Sequence, residues 1–275
     1  MYSSTTQKNE IRLIDEALSS ESITNTFRLG WEFIKVNQSF TITAMIIFIT
    51  LNIMGTVPSL SVISMLLSSI FAIAIQIHVG KIFYKSRDIR SYIDEINNTD
   101  IDKLLRQNFL TGVGVYLGWV ILTLLSVILL EFIGRSMGII HTNMNIVEVM
   151  NTVAIFAIPI LIIALFLSYI QPLVQSNIIM ANGFSGGFKA VFSIFSIKLW
   201  RLSFNSSYFK YISIFGIVSL LSLIFLVFII EIITNLIGLA IIGNVLMTIL
   251  IYIFMIIMAI GSMMAKRLIE LSINM

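Results

Sequence analysis

Residues 211–233 read YISIFGIVSLLSLIFLVFIIEII, and Glu231 is the only charged residue in the run. About 20 consecutive apolar residues are enough for one helix to cross the hydrocarbon core of a bilayer. Comparable runs lie near residues 39–57, 59–80, 109–131, 152–173 and 243–264. The six runs predict an all-α, polytopic membrane protein with six transmembrane helices.

The composition favours the same class. Hydrophobic residues make up 58% of the 275 positions, charged residues 11%, and the mean hydropathy is +1.00, whereas a soluble domain carries about 25% charged residues. No small-residue cleavage signal follows the first apolar run, so we expect the N-terminal segment to be retained. Cysteine is absent, which excludes disulfides and thiolate metal sites.

The positions of Lys and Arg orient the spans. Of the 17 cations, all except Arg135 fall in the N-terminal segment, in the loops after spans two and four, or in the C-terminal tail. The positive-inside rule makes that side cytoplasmic, so both termini should be cytoplasmic. The expected organisation is a cytoplasmic segment 1–38, a transmembrane domain 39–265 and a cytoplasmic tail 266–275. Tight turns near 55–58 and 234–242 would lie outside.

Two amphipathic segments are expected at the cytoplasmic interface, one within residues 22–37 and one at 188–202. Both carry apolar residues at helical spacing with cations on the remaining faces. The first could equally pack against the protein's own helices. The candidate membrane-surface residues are Phe27, Arg28, Trp31, Lys35, Lys189, Phe192, Phe195, Lys198, Trp200 and Arg201.

The expected partners are the lipid bilayer and anionic lipid head groups. Residues 176–210 contain four cations and no acid, which should attract anionic head groups at about 1 kcal/mol per cation near the surface. Nucleic acid is not expected as a partner, because the remaining cations are spread over juxtamembrane loops that also hold acids.

One motif raises the question of catalysis. GFSG at 183–186 copies the G-x-S-G of rhomboid proteases, and HTNMN at 141–145 copies their H-x-x-x-N. A nucleophile and its base must lie within hydrogen-bond reach, yet the predicted topology separates Ser185 from His141 by a core of about 30 Å. We therefore interpret Gly183, Gly186 and Gly187 as a hinge, and expect no catalytic residues, no enzymatic activity, no cofactor and no metal site.

Polar residues within the spans are the remaining site candidates. Glu131 and Glu231 fall near the outer ends of spans three and five, where they would form a cation or proton site if they faced each other. The alternative is two interfacial carboxylates in contact with water. Gln76 and His78 lie near the inner boundary of span two.

Small residues mark the expected helix contacts. Ser64, Ser68 and Ala72 form a stripe in span two, continued by Gln76 and Gly80, and Gly114 and Gly118 form a G-x-x-x-G in span three. We expect these two faces to meet, with Gln76 hydrogen-bonding across the interface.

The layout resembles a known family. FRLGWEFIKVNQSF (27–40) leads directly into span one, and PLVQSNIIMANGFSGGFKAVFSIFSIKLWR (172–201) links spans four and five. Both resemble bacterial six-span inner-membrane proteins of the family typified by enterobacterial YciC. That family is related to the membrane domain of some glycerophosphodiester phosphodiesterases.

The resemblance implies a multi-pass protein of the bacterial inner (cytoplasmic) membrane and supplies no catalytic residues. Together with the amphipathic segments, it favours a non-enzymatic envelope or lipid-related accessory role. The alternative is a transporter or permease component for a lipid or a small apolar solute. A cavity that contains Glu131 or Glu231 would favour this alternative.

Overall fold

The computed structural model describes residues 12–138 and 157–273. Within these ranges the chain forms eleven α-helices and one 3-10 turn at Phe192–Phe195, and no strand occurs there. The helices are α1 (Leu13–Ser19), α2 (Ser22–Val36), α3 (Gln38–Gly55), α4 (Ser61–Lys85), α5 (Ile89–Asn97), α6 (Ile101–Ser136), α7 (Ala157–Met180), α8 (Gly183–Val191), α9 (Ile197–Ser203), α10 (Ser206–Ile237) and α11 (Ala240–Ile273). The prediction of an all-α fold is confirmed.

Six helices, α3, α4, α6, α7, α10 and α11, are long and apolar enough to cross a membrane, as the six apolar runs predict. The start of the fourth predicted span, residues 152–156, lies outside the described residues. Helices α4 and α11 form the centre of the bundle: α4 packs against α3, α6, α7 and α11, and α11 also packs against α2, α7 and α10. Helices α6 and α10 expose most of their apolar residues, as expected for surfaces that face lipid.

Several helices extend beyond the apolar runs. Helix α6 has 36 residues and α11 has 34, which correspond to roughly 54 and 51 Å at 1.5 Å per residue. A bilayer core is only about 30 Å thick. Most of the excess lies at the end of the bundle that holds α1 and the last turns of α11, because α6 begins at Ile101 and α11 continues to Ile273.

That end, called the termini side below, is held together by contacts between distant parts of the chain. The Asp15 carboxylate of α1 accepts two hydrogen bonds from Arg267 of α11, at 2.6 and 3.1 Å. The Leu13 amide donates to the carbonyl of Arg87 at 2.7 Å. Helix α1, the connection from α4 to α6 and the end of α11 therefore lie together on one side of the bundle.

Short turns close the opposite side. Residues 56–60 join α3 to α4, and Gly238 ends α10 with a φ of 72°, a left-handed conformation that favours glycine. The Gly238 amide donates to the Thr234 carbonyl at 2.9 Å. Both turns occur where the sequence predicts them.

Spans two and three pack against each other, with Gly112 of α6 close to the Ile70 backbone of α4, but the two faces that the sequence predicts do not meet. A Cβ added at Gly114 would overlap the carbonyl oxygen of Phe184, and one at Gly118 would lie 3.0 Å from the Val191 side chain, so both glycines face α8. The reason is the turn at Gly183, whose φ of 67° sends the chain back along α6. The small residues of the two helices then allow their backbones to approach closely.

The small-residue stripe of α4 contacts other helices instead. The Ser64 hydroxyl donates to the carbonyl of Leu51 on α3, and a Cβ at Gly80 would lie 2.7 Å from Ile179 on α7. Gln76 does hydrogen-bond across a helix interface, but its partner is Gln175 of α7, at 2.9 Å. Ser68 and Ala72, the remaining members of the stripe, line a cleft between α4 and α11.

Candidate functional site

The polar cluster around Tyr84 joins α1, α4 and α11 at the termini side. The Tyr84 hydroxyl donates to both carboxylate oxygens of Glu270, at 2.9 and 3.0 Å. Glu270 also accepts from Arg267 at 3.2 Å, and the cations of Arg12 and Lys266 lie 5.2 and 5.5 Å from the centre of the Tyr84 ring. Because each of these charges has an opposite charge or an aromatic ring beside it, the cluster is a structural clamp.

Helix α5 is fixed to the bundle by a second set of polar contacts. The carboxylate of Asp88 accepts from the Ser91 amide at 2.8 Å and caps the helix, and this backbone hydrogen bond is the main reason why the pKa of Asp88 is lowered. The buried Tyr92 hydroxyl donates to the Leu29 carbonyl at 3.0 Å, and burial raises its pKa, so it stays protonated. Asn37 donates to the carbonyls of Ile96 and Thr99.

His78 lies at the centre of a buried hydrogen-bond chain. Its Nε2 lies 3.2 Å from the Thr99 hydroxyl oxygen and its Nδ1 lies 3.1 Å from the Asn108 amide nitrogen. The Thr99 hydroxyl donates to the Glu95 carbonyl at 3.0 Å, and the Asn108 oxygen accepts from Lys81 at 3.3 Å. These roles are consistent only if His78 is neutral and carries its proton on Nε2.

The same chain closes the end of α7. The Lys81 ammonium group donates to the Ala181 carbonyl at 3.0 Å and to the Asn182 side chain at 2.9 Å. Both ring nitrogens of His78 are already hydrogen-bonded, so neither is free to bind a ligand. The hydrogen bonds instead connect α4, α6 and the turn before α8 and hold them in place relative to one another.

Ser185 lies in the first turn of α8 and is exposed. Among the described residues it forms no pair with a histidine, because His78 is buried and bonded to Thr99 and Asn108. His141 lies outside the described residues. The expected hinge is made by Gly183 with its positive φ, while Gly187 lies within α8, where an added Cβ would overlap the Thr111 carbonyl.

Glu131 and Glu231 lie on helices that pack against different partners. Glu131 pairs with Arg135 one turn later on α6, at 2.8 Å, and both side chains are about half exposed. Glu231 is exposed on α10. Helix α6 packs chiefly on α4 and α8, whereas α10 packs chiefly on α11. Within the described ranges the two carboxylates are not joined by a hydrogen bond or by one of the clefts described below.

Helix α2 presents an aromatic and basic face on its outer surface. Trp31 is 55% exposed, and Arg28 and Lys35 are exposed one turn before and after it. The opposite face packs on the protein, since a Cβ at Gly30 would lie 2.9 Å from Ile257 of α11. Phe27, expected at the membrane surface, instead packs against Phe215 with ring centroids 6.1 Å apart.

The expected interfacial helix at 188–202 is broken into three pieces, so the prediction of one continuous helix is wrong. Helix α8 ends at Val191, the 3-10 turn follows, and α9 begins at Ile197. Two serines end and restart the helical backbone: Ser193 donates to the Ala190 carbonyl at 2.7 Å, and Ser196 caps α9 by accepting from the Leu199 amide. Serine side chains commonly compete with helical hydrogen bonds in this way.

The broken segment nevertheless exposes apolar and cationic side chains together. Phe195 and Ile197 are 66% and 85% exposed. No hydrogen bond or ion pair engages its cationic side chains among the residues that the structure describes. Those side chains are Lys189, Lys198 and Arg201, and the same holds for Lys210 near the start of α10; all four are exposed. Together with Lys210 and with Trp31, Arg28 and Lys35 of α2, this segment forms what we call the termini-side surface.

A mostly apolar cleft of about 420 Å³ opens beside α9. Its walls come from α7, α9 and the start of α10, and we call it the aromatic cleft. Six of its lining residues are Ile162, Phe166, Tyr169, Trp200, Phe204 and Phe209. Trp200, expected at the membrane surface, forms part of this wall and is half-buried, as is the nearby Phe192. Tyr169, Phe204 and Phe209 were not among the residues predicted from the sequence, although the nearby cations Arg201 and Lys210 were.

A different group of clefts opens between α3, α4 and α11 toward the side opposite the termini. Three clefts of about 400, 420 and 180 Å³ share Asn52 as a common lining residue. The Asn52 amide donates to Thr248 at 2.7 Å. Hydroxyls and amides line much of this space, and the deepest cleft reaches Ala72 and Tyr252. We call these three clefts together the vestibule, and no sequence motif indicated it.

Comparisons with protein-family models, with curated proteins and with solved structures find no match to this chain. The resemblance to the YciC-like family remains a prediction from the residues quoted above.

Proposed function

We propose that this integral membrane protein is a non-enzymatic accessory of the bacterial inner membrane that engages anionic lipid head groups through its termini-side surface. Both termini would then be cytoplasmic, in agreement with the positive-inside rule. The YciC-like resemblance supports an envelope or lipid-related role. The six spans establish the membrane class, and the surface supports the more specific role.

The observation that carries the proposal is the set of four exposed cations in residues 176–210, which have no acid in the same segment. Several other cations of the termini side form ion pairs: Arg267 contacts Asp15 and Glu270, and Arg106 contacts Asp102 at 2.9 Å. Unpaired cations next to exposed aromatic side chains are the usual features of a membrane-surface segment.

A lipid-retention experiment tests the proposal. We would purify the protein from membranes in mild detergent and count bound anionic and zwitterionic phospholipids by mass spectrometry. One variant would carry Lys189→Gln, Lys198→Gln, Arg201→Gln and Lys210→Gln. The matched control would carry Lys85→Gln, Arg87→Gln, Arg90→Gln and Arg106→Gln, which removes the same number of cations from an acid-containing part of the same side.

We expect the first variant to lose most of its anionic lipid while the control keeps it, because the control cations are locally balanced by acids. Equal losses in both variants would show that only net charge matters and would overturn the proposal. Unchanged retention in both would overturn it as well.

The vestibule around Asn52 favours a second candidate, a transporter or permease component for a lipid or a small apolar solute. Its deepest part reaches Ala72, eleven residues beyond the start of α4 at Ser61, which is roughly 16 Å along the helix. Because the chain has no cysteine, Ser68→Cys would provide a unique thiol within it. Rapid reaction of that thiol with a membrane-impermeant maleimide would support the vestibule, and no reaction would count against this candidate.

A further inference from the structure

The aromatic cleft has walls that are fixed by hydrogen bonds. The Tyr169 hydroxyl donates to the carbonyl of Ser203, and the Tyr208 hydroxyl donates to the carbonyl of Tyr169 at 2.6 Å. The Trp200 indole N–H donates to the Ile194 carbonyl at 2.7 Å. With these polar groups already bonded, the cleft presents mainly ring faces and aliphatic side chains, so it suits an apolar occupant.

The cleft runs along α7 in the direction of a lipid acyl chain. Tyr169 lies near the inner end of the fourth predicted span, and Ile162 lies two turns further into it. The distance between them along α7 is roughly 10 Å. The cleft therefore extends from the termini-side interface toward the middle of the span.

Two exposed cations are adjacent in sequence to residues that line the cleft. Arg201 directly follows Trp200, and Lys210 directly follows Phe209, so each cation is next to a lining residue. Both are exposed and, among the described residues, neither has an acidic partner. An apolar slot with two such cations next to its lining residues is complementary in charge and polarity to an anionic amphiphile.

We infer that the aromatic cleft binds one anionic phospholipid, with an acyl chain between α7 and α10 and the phosphate at Arg201 and Lys210. This inference rests on the proposed function and assigns one discrete site within the termini-side surface. The aromatic walls of the site favour an acyl chain, and its two cations favour a negatively charged head group.

Tryptophan quenching tests the site, because Trp200 forms part of its wall. We would prepare the full chain with Trp31→Phe and Trp119→Phe, leaving Trp200 as the only tryptophan, in phosphatidylcholine vesicles. Phosphatidylglycerol or phosphatidylcholine with brominated acyl chains would be added at equal mole fractions. The expected relative affinity for phosphatidylglycerol is about 30-fold, from two cations near the surface that each contribute about 1 kcal/mol.

Adding Arg201→Gln and Lys210→Gln should bring this ratio close to one while quenching by phosphatidylcholine persists. The control pair Arg87→Gln and Arg90→Gln should leave the ratio unchanged. Equal quenching of the Trp200 protein by both lipids would overturn the inference. It would also be overturned if the control pair lowered the ratio as much as Arg201→Gln and Lys210→Gln do.

A second reporter separates the site from the broader proposal. With Trp119→Phe and Trp200→Phe, Trp31 on α2 becomes the only tryptophan. If phosphatidylglycerol quenches Trp31 better than phosphatidylcholine does, but the two lipids quench Trp200 equally, the inferred lipid site in the aromatic cleft is overturned and the proposed function stands. Absence of anionic preference at both reporters would overturn both.

Discussion

Replacing Gly114 by alanine should disrupt the docking of α8 on α6. The added Cβ would overlap the Phe184 carbonyl oxygen, which belongs to the backbone and can move only if α8 moves. Adding atoms to a well-packed interface costs about 1 to 3 kcal/mol, and an overlap with backbone belongs at the upper end. We expect Gly114→Ala to lose about 3 kcal/mol, roughly a 150-fold change in the unfolding equilibrium.

Two further glycines complete a graded series. At Gly118 the added Cβ would lie 3.0 Å from a methyl group of Val191 and 3.2 Å from the Phe188 carbonyl oxygen, a much smaller overlap than at Gly114, so the expected loss is about 1 kcal/mol. At Gly216, in the middle of α10, the added Cβ meets nothing within 4 Å. Alanine there should be neutral or stabilising by up to about 1 kcal/mol, because it is the better helix former.

Reversible unfolding in mixed micelles, titrated with dodecyl sulfate and followed by circular dichroism, would measure the series. Hydrogen exchange of the amides in residues 183–191 would show whether α8 separates before the bundle unfolds. The expected order of stability is Gly216→Ala, then Gly118→Ala, then Gly114→Ala. A Gly114→Ala protein as stable as the unmodified chain, with α8 equally protected, would refute the close approach of the two helices.

The polar contacts of the termini side lead to further predictions. Asp15→Asn should weaken the anchoring of α1 by about 1 to 3 kcal/mol, because Arg267 loses a charged partner, and faster hydrogen exchange in residues 13–19 would show it. Asp102→Asn, which removes an exposed pair, should change stability by less than about 1 kcal/mol; an equal effect of the two changes would contradict the reasoning. Asn108→Ala should destabilise the bundle by about 1 to 3 kcal/mol, because the buried His78 loses a hydrogen-bond partner. Unchanged unfolding of this variant would show that the chain through His78 is not structural.

The spans were predictable because each transmembrane helix must present a long apolar run to lipid. The helix ends were not, because apolarity stops at the membrane boundary while the hydrogen-bonded backbone continues. Helix α6 starts at Ile101, eight residues before its apolar run, where Asp100 caps it by accepting from the Lys103 amide at 2.6 Å. A run of apolar residues therefore predicts the part of such a helix that crosses the bilayer, but not its polar extension beyond the membrane.

The helix contacts were less predictable than the helices. The G-x-x-x-G at Gly114 and Gly118 indicated a close approach but did not name the partner, since any helix with a small-residue face can fill it. The partner proved to be α8, whose glycines had been interpreted only as a hinge. The cluster of surface cations could be predicted from the distribution of charged residues along the sequence. The aromatic cleft could not, because it depends on the packing of Tyr169 against Tyr208, 39 positions apart in the chain.

The central claim is that residues 176–210 lie on a lipid surface, and a spin label at Ile197 tests it most directly. The label would be attached through Ile197→Cys in a chain that contains no other cysteine, in vesicles that contain phosphatidylglycerol. The control label at Arg90 of α5, through Arg90→Cys, stands beside acidic residues on the same side. We predict that the label at position 197 is relaxed mainly by oxygen, which concentrates in lipid, and the label at position 90 mainly by a water-soluble nickel complex. Equal access of the nickel complex to both labels would contradict the account.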